Sequence, residues 1–314
     1  MIADVTVSSL CSFTPEDIIR DVKHLPSAPK VLPRLKQLLQ DGNTAIHEIV
    51  AMIRLDPGIA ARVLQVANSA LYSKGTRCLT VEEAVQRVGY DEVYELVAYA
   101  VASQVLIRPL EIYGVEADAM WLNAVACAMA AETLANRTKL DRNVAYTIGL
   151  LHGVGMVAFN EWSLCYAPRL VLRSAGLPRE ATEAERATFG FTQAEVGSAL
   201  LRHWNFPTAM SEPVRWQYAP RASAGHVQMA SLLLAAKWLR SSVCVPAKLC
   251  PPLPDPAQLQ PIGLSGRALV EMLPEVELRL AEVSSMLDLG DEAAARPARG
   301  VCHLFPRQDW PARG

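Results

Sequence analysis

The run Gly149-Leu150-Leu151-His152-Gly153-Val154-Gly155-Met156 holds one imidazole in an apolar, helix-like stretch. A His-Asp pair at this place would supply two adjacent metal ligands inside a helix bundle. Here the residue after the histidine is Gly153, which has no side chain to coordinate anything. The missing carboxylate turns a candidate metallohydrolase into a candidate non-enzyme. His152 is then read as a buried histidine bonded to a backbone carbonyl or a neighbouring side chain. No Gly-rich phosphate loop, nucleophile elbow or Ser-His-Asp order is present. Cys244, Cys250, Cys302 and His303 could ligate zinc in principle, but their spacing is irregular and the stretch is proline-rich.

The elements that must position His152 are helices. Leu32, Leu35, Leu38 and Leu39 mark one apolar face. Thr44 is expected to cap a helix whose Ile46, Ile49, Val50 and Ile53 share a face. Asp56-Pro57 reads as N-cap and first helical position. Thr80 with Glu83 reads as a capping box whose helix stops at Gly89. A further helix is expected over 91–107, and a linker over 109–114. An alanine-rich helix is expected over 117–136, where small residues let neighbours approach closely. The next, over 142–159, carries His152. Helices are also predicted over 164–175, 179–188, 193–204, 208–218 and 223–240. Prolines from Pro246 to Pro261 predict a non-helical connector, followed by a helix pair over 265–289 using Leu269, Met272 and Leu273. Residues 245–290 hold too few large apolar residues for a core of their own, so they are expected to pack on the preceding bundle. The tail over 291–314 has little to dock it except Leu304, Phe305 and Trp310.

Composition narrows the function classes. Apolar residues make up 51% of the 314, enough for a large core. A net charge of -2 gives no electrostatic reason to expect nucleic acid or an anionic membrane surface. Seven scattered cysteines without a CxxC pair fit a reducing cytoplasm better than a disulfide framework. No targeting segment is expected at Met1–Phe13, and the longest apolar run, residues 96–107, is too short to span a bilayer.

A series of motifs then falls in one order. It begins Leu25-Pro26-Ser27-Ala28-Pro29, Ile53-Arg54-Leu55-Asp56-Pro57, Ala67-Asn68-Ser69-Ala70-Leu71-Tyr72 and Thr80-Val81-Glu82-Glu83-Ala84-Val85, then Arg87-Val88-Gly89. It continues through Met120-Trp121, Gly149-Leu150-Leu151-His152, Glu185 with Phe189-Gly190, Val196-Gly197-Ser198-Ala199-Leu200-Leu201 and Trp204-Asn205-Phe206-Pro207. This order resembles the HDOD domain, the HD-related output domain of bacterial signalling proteins, over residues 25–220. The resemblance implies an all-α fold: an HDOD-like helical bundle in two lobes, about 25–107 and 117–220, the second HD-like. A 1–24 N-terminal segment, a 221–290 C-terminal helical extension and a 291–314 tail would flank it.

The family is similar to HD-type metal phosphohydrolases, whose bundle holds a divalent metal with His and Asp ligands. Carried over residue by residue, the resemblance leaves one ligand position of about five intact. Asn123 stands after Trp121 where a first His belongs, Gly153 replaces the Asp, and Gln193 replaces a later His. Gln217-Tyr218 ahead of Pro220 replaces a His pair, with a one-residue ambiguity of register. The implied set is a vestigial pocket of Asn123, His152, Gly153, Gln193 and Gln217, with no catalytic residue, no metal and no cofactor. Asn68, Ser69 and Tyr72 form either a tight helix junction or a contact surface. The expected role is a non-catalytic regulatory module of a bacterial, cytoplasmic signalling pathway, acting on protein partners and not on nucleic acid or membrane. Two alternatives stay open: a metal-dependent phosphohydrolase with a rearranged ligand set, and a sensor taking a nucleotide or other small molecule in the vestigial pocket.

Overall fold

A computed structural model of the chain describes residues 13–20, 44–69, 75–89, 109–167, 178–244 and 250–286, with a few isolated positions between them. Every element in it is helical except one isolated bridge between Leu110 and Val115. The fold is all-α, as the periodicity predicts. The expected helix over 91–107, most of the Leu32–Leu39 face, and the tail with Cys302 and His303 lie outside the described residues.

The first lobe is built from α2 (Ile46–Arg54), α3 (Pro57–Ala67) and α4 (Val81–Val88). Asp56 caps α3 by accepting the Ile59 N–H, and Thr80 caps α4 by accepting the Glu83 N–H. Glu83 reaches back to the Leu79 N–H. Thr44 does not cap α2: the N-cap is Ala45, without a side-chain bond. The amphipathic pattern beginning at Ile46 fixes that helix start without a cap.

Between α3 and α4 the chain turns on Asn68. Its amide is 1% exposed and copies a backbone partner. Its Nδ2 donates to the Cys78 carbonyl at 3.1 Å, and its Oδ1 accepts the Cys78 N–H at 2.7 Å. Arg77 donates to the Asn68 carbonyl, and Tyr72 and Ser73 close a turn on the Ser69 carbonyl. The junction reading of this motif therefore has a bonded structure behind it. Asn68→Ala would leave both Cys78 backbone groups buried and unpaired. It should cost about 2–3 kcal/mol, read as a shifted denaturant midpoint. A loss below about 0.5 kcal/mol would show that water replaces both bonds.

The second lobe is organised by α5 (Ala117–Thr138), which lies between α6 (Arg142–Leu151) and α11 (Val227–Cys244). Close approach to α6 is set by small residues. A Cβ on Gly149 would lie 2.7 Å from the Ala128 Cα. The expected single helix over 142–159 is instead two. α6 ends at Leu151, His152 and Gly153 form the junction, and α7 runs Val154–Tyr166. Helix continuity fails where glycine removes the side chain that would favour it. α7 itself continues through 164–166 and ends at Ala167, and residues 170–172 are not helical. The separate helix expected over 164–175 is corrected accordingly.

α8 (Pro178–Phe189), α9 (Gln193–His203) and α10 (Thr208–Arg215) complete the lobe. Asn205, between α9 and α10, takes a left-handed φ of 63°, a conformation asparagine tolerates well. Phe159, Phe189 and Phe191 make an aromatic core, with Phe159 and Phe189 centroids 4.8 Å apart. Trp162 joins it edge-on to Phe189. A short helix outside the expected domain, α1 (Pro15–Ile19), buries Ile18 and Ile19 against α7 and α9. A Thr14–Asp17 capping box, which sequence reading missed, starts it, and Phe13 sets its ring 5.1 Å from that of Trp162.

The proline-rich connector is not wholly non-helical. Asp255 caps α12 (Pro256–Leu259), because Pro at the first helical position suits a helix start. α13 (Gly266–Val270) and α14 (Leu273–Met286) follow. Leu269, Met272 and Leu273 are buried, and α14 packs on α5 and α11.

Candidate functional site

α11 is apolar and small around most of its circumference and is buried along most of its length. Two cations interrupt it one turn apart, Lys237 and Arg240, only 7% and 8% exposed. Sequence reading missed both. Their signal was available: a lysine and an arginine at i and i+3 inside a helix with no polar face must point into protein.

The two cations reach the expected pocket residues. Lys237 donates from Nζ to Gln217 Oε1 at 2.6 Å. Its Nζ also lies 3.2 Å from the Tyr218 ring centroid, a close cation–π contact. Gln217 Nε2 donates to the His152 carbonyl at 3.1 Å and to the Val214 carbonyl at 2.9 Å. Gln193 Nε2 donates to the Tyr218 hydroxyl at 2.7 Å. Arg240 donates to Asn123 Oδ1 at 2.9 Å and to Ser241 Oγ at 3.0 Å. Gln217 is thus bonded directly to the His152 carbonyl, while Gln193 is joined to the cluster through Tyr218 and Asn123 through Arg240. The ambiguous Gln217-Tyr218 pair contributes both members.

His152 is the C-cap of α6, not a mid-helix residue. Its Nδ1 lies 2.7 Å from the Gly149 carbonyl, so Nδ1 carries the proton and Nε2 is the basic nitrogen. Burial holds its pKa well below the usual histidine value, and Lys237 and Arg240 add to that shift. The imidazole is neutral at neutral pH. Gly153 faces Met120: a Cβ there would lie 2.5 Å from Met120 Cε. Burial, then Arg240, push the Lys237 pKa well below that of a free lysine. Among the described residues, no three His, Cys, Asp or Glu side chains gather where they could hold a metal.

One carboxylate stands at the edge of the cluster. Glu185 on α8 is fully buried. It accepts the Tyr113 hydroxyl at 2.8 Å and the Gln193 backbone N–H at 2.8 Å. Tyr113 belongs to the 3-10 turn Glu111–Tyr113, so Glu185 ties the inter-lobe linker to the start of α9. Burial raises its pKa to about 7 despite those two bonds. A folded pKa above the unfolded value means that the folded state binds the proton more tightly. The stability contribution is therefore full below the unfolded value of 4.5 and is lost as pH rises through about 7. Glu185→Gln removes that titration. Its stability relative to the parent should rise between about pH 5 and about pH 8, measured by urea unfolding at both. The same difference at both pH values would sink this assignment.

A cleft of about 260 Å³ opens beside the cluster, lined by Arg186, Thr192, Glu195, Arg215, Trp216 and Tyr218 among others. Tyr218 lines this cleft, and its ring also carries the Lys237 ammonium contact. Trp204 and Trp238 are buried, so neither is a stacking platform, and the Arg215 guanidinium lies 5.2 Å from the Trp216 ring.

An all-helical bundle with this junction histidine and this order of motifs defines an HD-related class of fold. A family model described as HDOD domain matches residues 25–220. The chain belongs to the HDOD domain family, a family of signalling proteins related to the HD phosphohydrolases. An uncharacterized protein of Treponema pallidum is 27% identical over 204 residues. That match takes in 63% of this chain but only 38% of the relative's length. The MmoQ response regulator of Methylococcus capsulatus has a similar fold, with a TM-score of 0.62 at 22% identity over 81% of this chain and 99% of that one. A virulence factor of Campylobacter jejuni gives a TM-score of 0.62 at 20% identity, over 85% and 100% of the two chains. Among the described residues, no helix is long and apolar enough to cross a membrane.

Proposed function

We propose that this chain is a non-catalytic regulatory module that works by contact with protein partners in a cytoplasmic signalling pathway. The observation that carries the reading is the pair Lys237 and Arg240 at the residues where an HD enzyme gathers its metal ligands. A divalent cation needs anionic or imidazole donors arranged around it. Here Gln217 and Asn123 turn their carbonyl oxygens to an ammonium and a guanidinium instead. Gly153 offers no donor, and its approach is filled by Met120. Only the His152 Nε2 is a strong ligand atom, and like-charge repulsion from the two cations opposes any divalent ion beside it. The residues do not fit a metal, so no hydrolytic step is derived through one.

Elemental analysis of protein purified without chelator should find no stoichiometric iron, manganese or zinc. Phosphodiesterase assays should read background before and after His152→Ala, while the substitution lowers stability by about 1–3 kcal/mol. A metal bound through His152, with phosphoester turnover abolished by that substitution, would overturn the reading in favour of the hydrolase. The partner itself is sought by affinity capture from the native host.

A further inference from the structure

Arg240 carries a buried charge that no carboxylate among the described residues pairs, with Lys237 one helical turn away. The partners of both groups are neutral: an amide oxygen each from Gln217 and Asn123, the Ser241 hydroxyl and the face of Tyr218. Neither makes an ion pair with a carboxylate among the described residues. Glu185, the nearby acid, is engaged by Tyr113 and the Gln193 backbone. Buried cations are normally paired, because an uncompensated charge in protein interior is strongly unfavourable. An arginine cannot escape by losing its proton.

Two polar atoms of the cluster are also buried without a hydrogen-bond partner, Arg240 Nε and Gln193 Oε1. Arg240 Nε–H is one prong of the guanidinium fork that suits an oxyanion. Lys237 has spent one N–H on Gln217 and one face on Tyr218. Relative to a metal site the polarity is inverted: the protein supplies the cations, and what is lacking is the anion.

We infer that the Lys237–Arg240 cluster is a binding site for a small oxyanion, a phosphate or carboxylate group. It enters from the cleft of about 260 Å³ past the ring of Tyr218. Arg240 Nε–H and the Lys237 ammonium are its donors, and Tyr218 is the side chain that must move to admit it. The inference rests on the metal-free reading of the same cluster and gives its pocket a ligand class. The cleft wall carries Arg186 and Arg215 against Glu183 and Glu195, a balanced set, so the pull on an anion comes from the buried cluster itself.

The test titrates the full chain with inorganic phosphate and, separately, with acetate, at ionic strength held constant with chloride. Calorimetry should show saturable binding of one equivalent of at least one of the two, and which one binds separates the phosphate from the carboxylate source. Arg240→Gln and Lys237→Gln should each weaken it at least about tenfold, while Arg267→Gln, on the exposed α13, leaves it unchanged. A readout on the unaltered protein guards against variants that do not fold. Amine-reactive labelling followed by peptide mass analysis should show the bound anion changing the labelling of Lys237 and not of exposed Lys139. Absence of saturable binding by both anions overturns the inference, as does unchanged affinity in a folded Arg240→Gln or Lys237→Gln protein. The titration is run before and after metal is stripped by a chelating resin that is then removed, because a soluble chelator such as EDTA is itself a polycarboxylate. Binding that vanishes after metal stripping would overturn the metal-free reading, whereas no binding in either condition overturns only the anion site.

Discussion

Replacing Gly155 by alanine should lower the unfolding free energy by about 3 kcal/mol or more. Gly155 is where α7 crosses α9 at backbone distance. A Cβ there would lie 1.8 Å from the Gln193 carbonyl oxygen and 2.7 Å from the Gly197 N. Both obstacles are main chain, so no rotamer change relieves them, and the helices must separate. The crossing also carries Gln193, whose backbone N–H bonds Glu185 and whose side chain bonds Tyr218. Separation would therefore pull on the polar cluster as well. Gly225 is the control: it has open space around its Cβ direction. Gly225→Ala should be neutral or stabilising by about 0.4–1 kcal/mol. Urea unfolding of both variants makes the comparison. A Gly155→Ala protein as stable as the parent would show that the two helices are not held at this distance in solution.

Glu132→Ala is the second large effect expected, about 3 kcal/mol of destabilisation. Glu132, on α5, accepts from Arg54 of α2 at 2.9 Å and closely from Arg279 of α14. Arg54 also bonds Glu82 at 2.9 Å and lies 4.0 Å from the Tyr146 ring, and Arg279 bonds Thr133 at 2.9 Å. Burial alone would raise the Glu132 pKa; the bonds from Arg279 and Arg54 outweigh it and lower the pKa below 4.5. A lowered folded pKa adds stability above the unfolded value that is lost as pH falls through the folded one. Removing the carboxylate leaves two half-buried guanidiniums facing each other. The exposed pair Arg267–Glu271, with side chains 89% and 63% accessible, is the contrast. Glu271→Ala should change stability by about 0.5 kcal/mol or less. If the two variants lose equal stability, Glu132 is merely another surface charge.

Much of this architecture could be read from residue patterns, and the failures have physical causes. Asp56 and Thr80 cap helices as predicted, because capping depends on a few adjacent atoms. Thr44 fails because an amphipathic face can start a helix without a side-chain bond. The break at His152-Gly153 was hidden by an apolar pattern that runs on through both helices. Of the expected pocket residues, Gln217 bonds the His152 carbonyl, while Gln193 and Asn123 bond Tyr218 and Arg240 instead. Lys237 and Arg240 escaped notice because they lie in the extension beyond residue 220. Nothing local to Lys237 says that Gln217, 20 residues earlier, waits for its ammonium.

That α1 and α11 lie outside the matched residues 25–220 has a practical consequence for anyone dividing the chain. A fragment trimmed to those limits would uncover the seat of Ile18 and Ile19 and the whole flank of α5 that α11 covers. It would also strip Gln217 and Asn123 of the groups that hold their side chains. The limits of sequence kinship and the limits of cooperative unfolding are therefore not expected to coincide. Among the described residues, the piece expected to melt in a single sharp transition runs from Phe13 through α14.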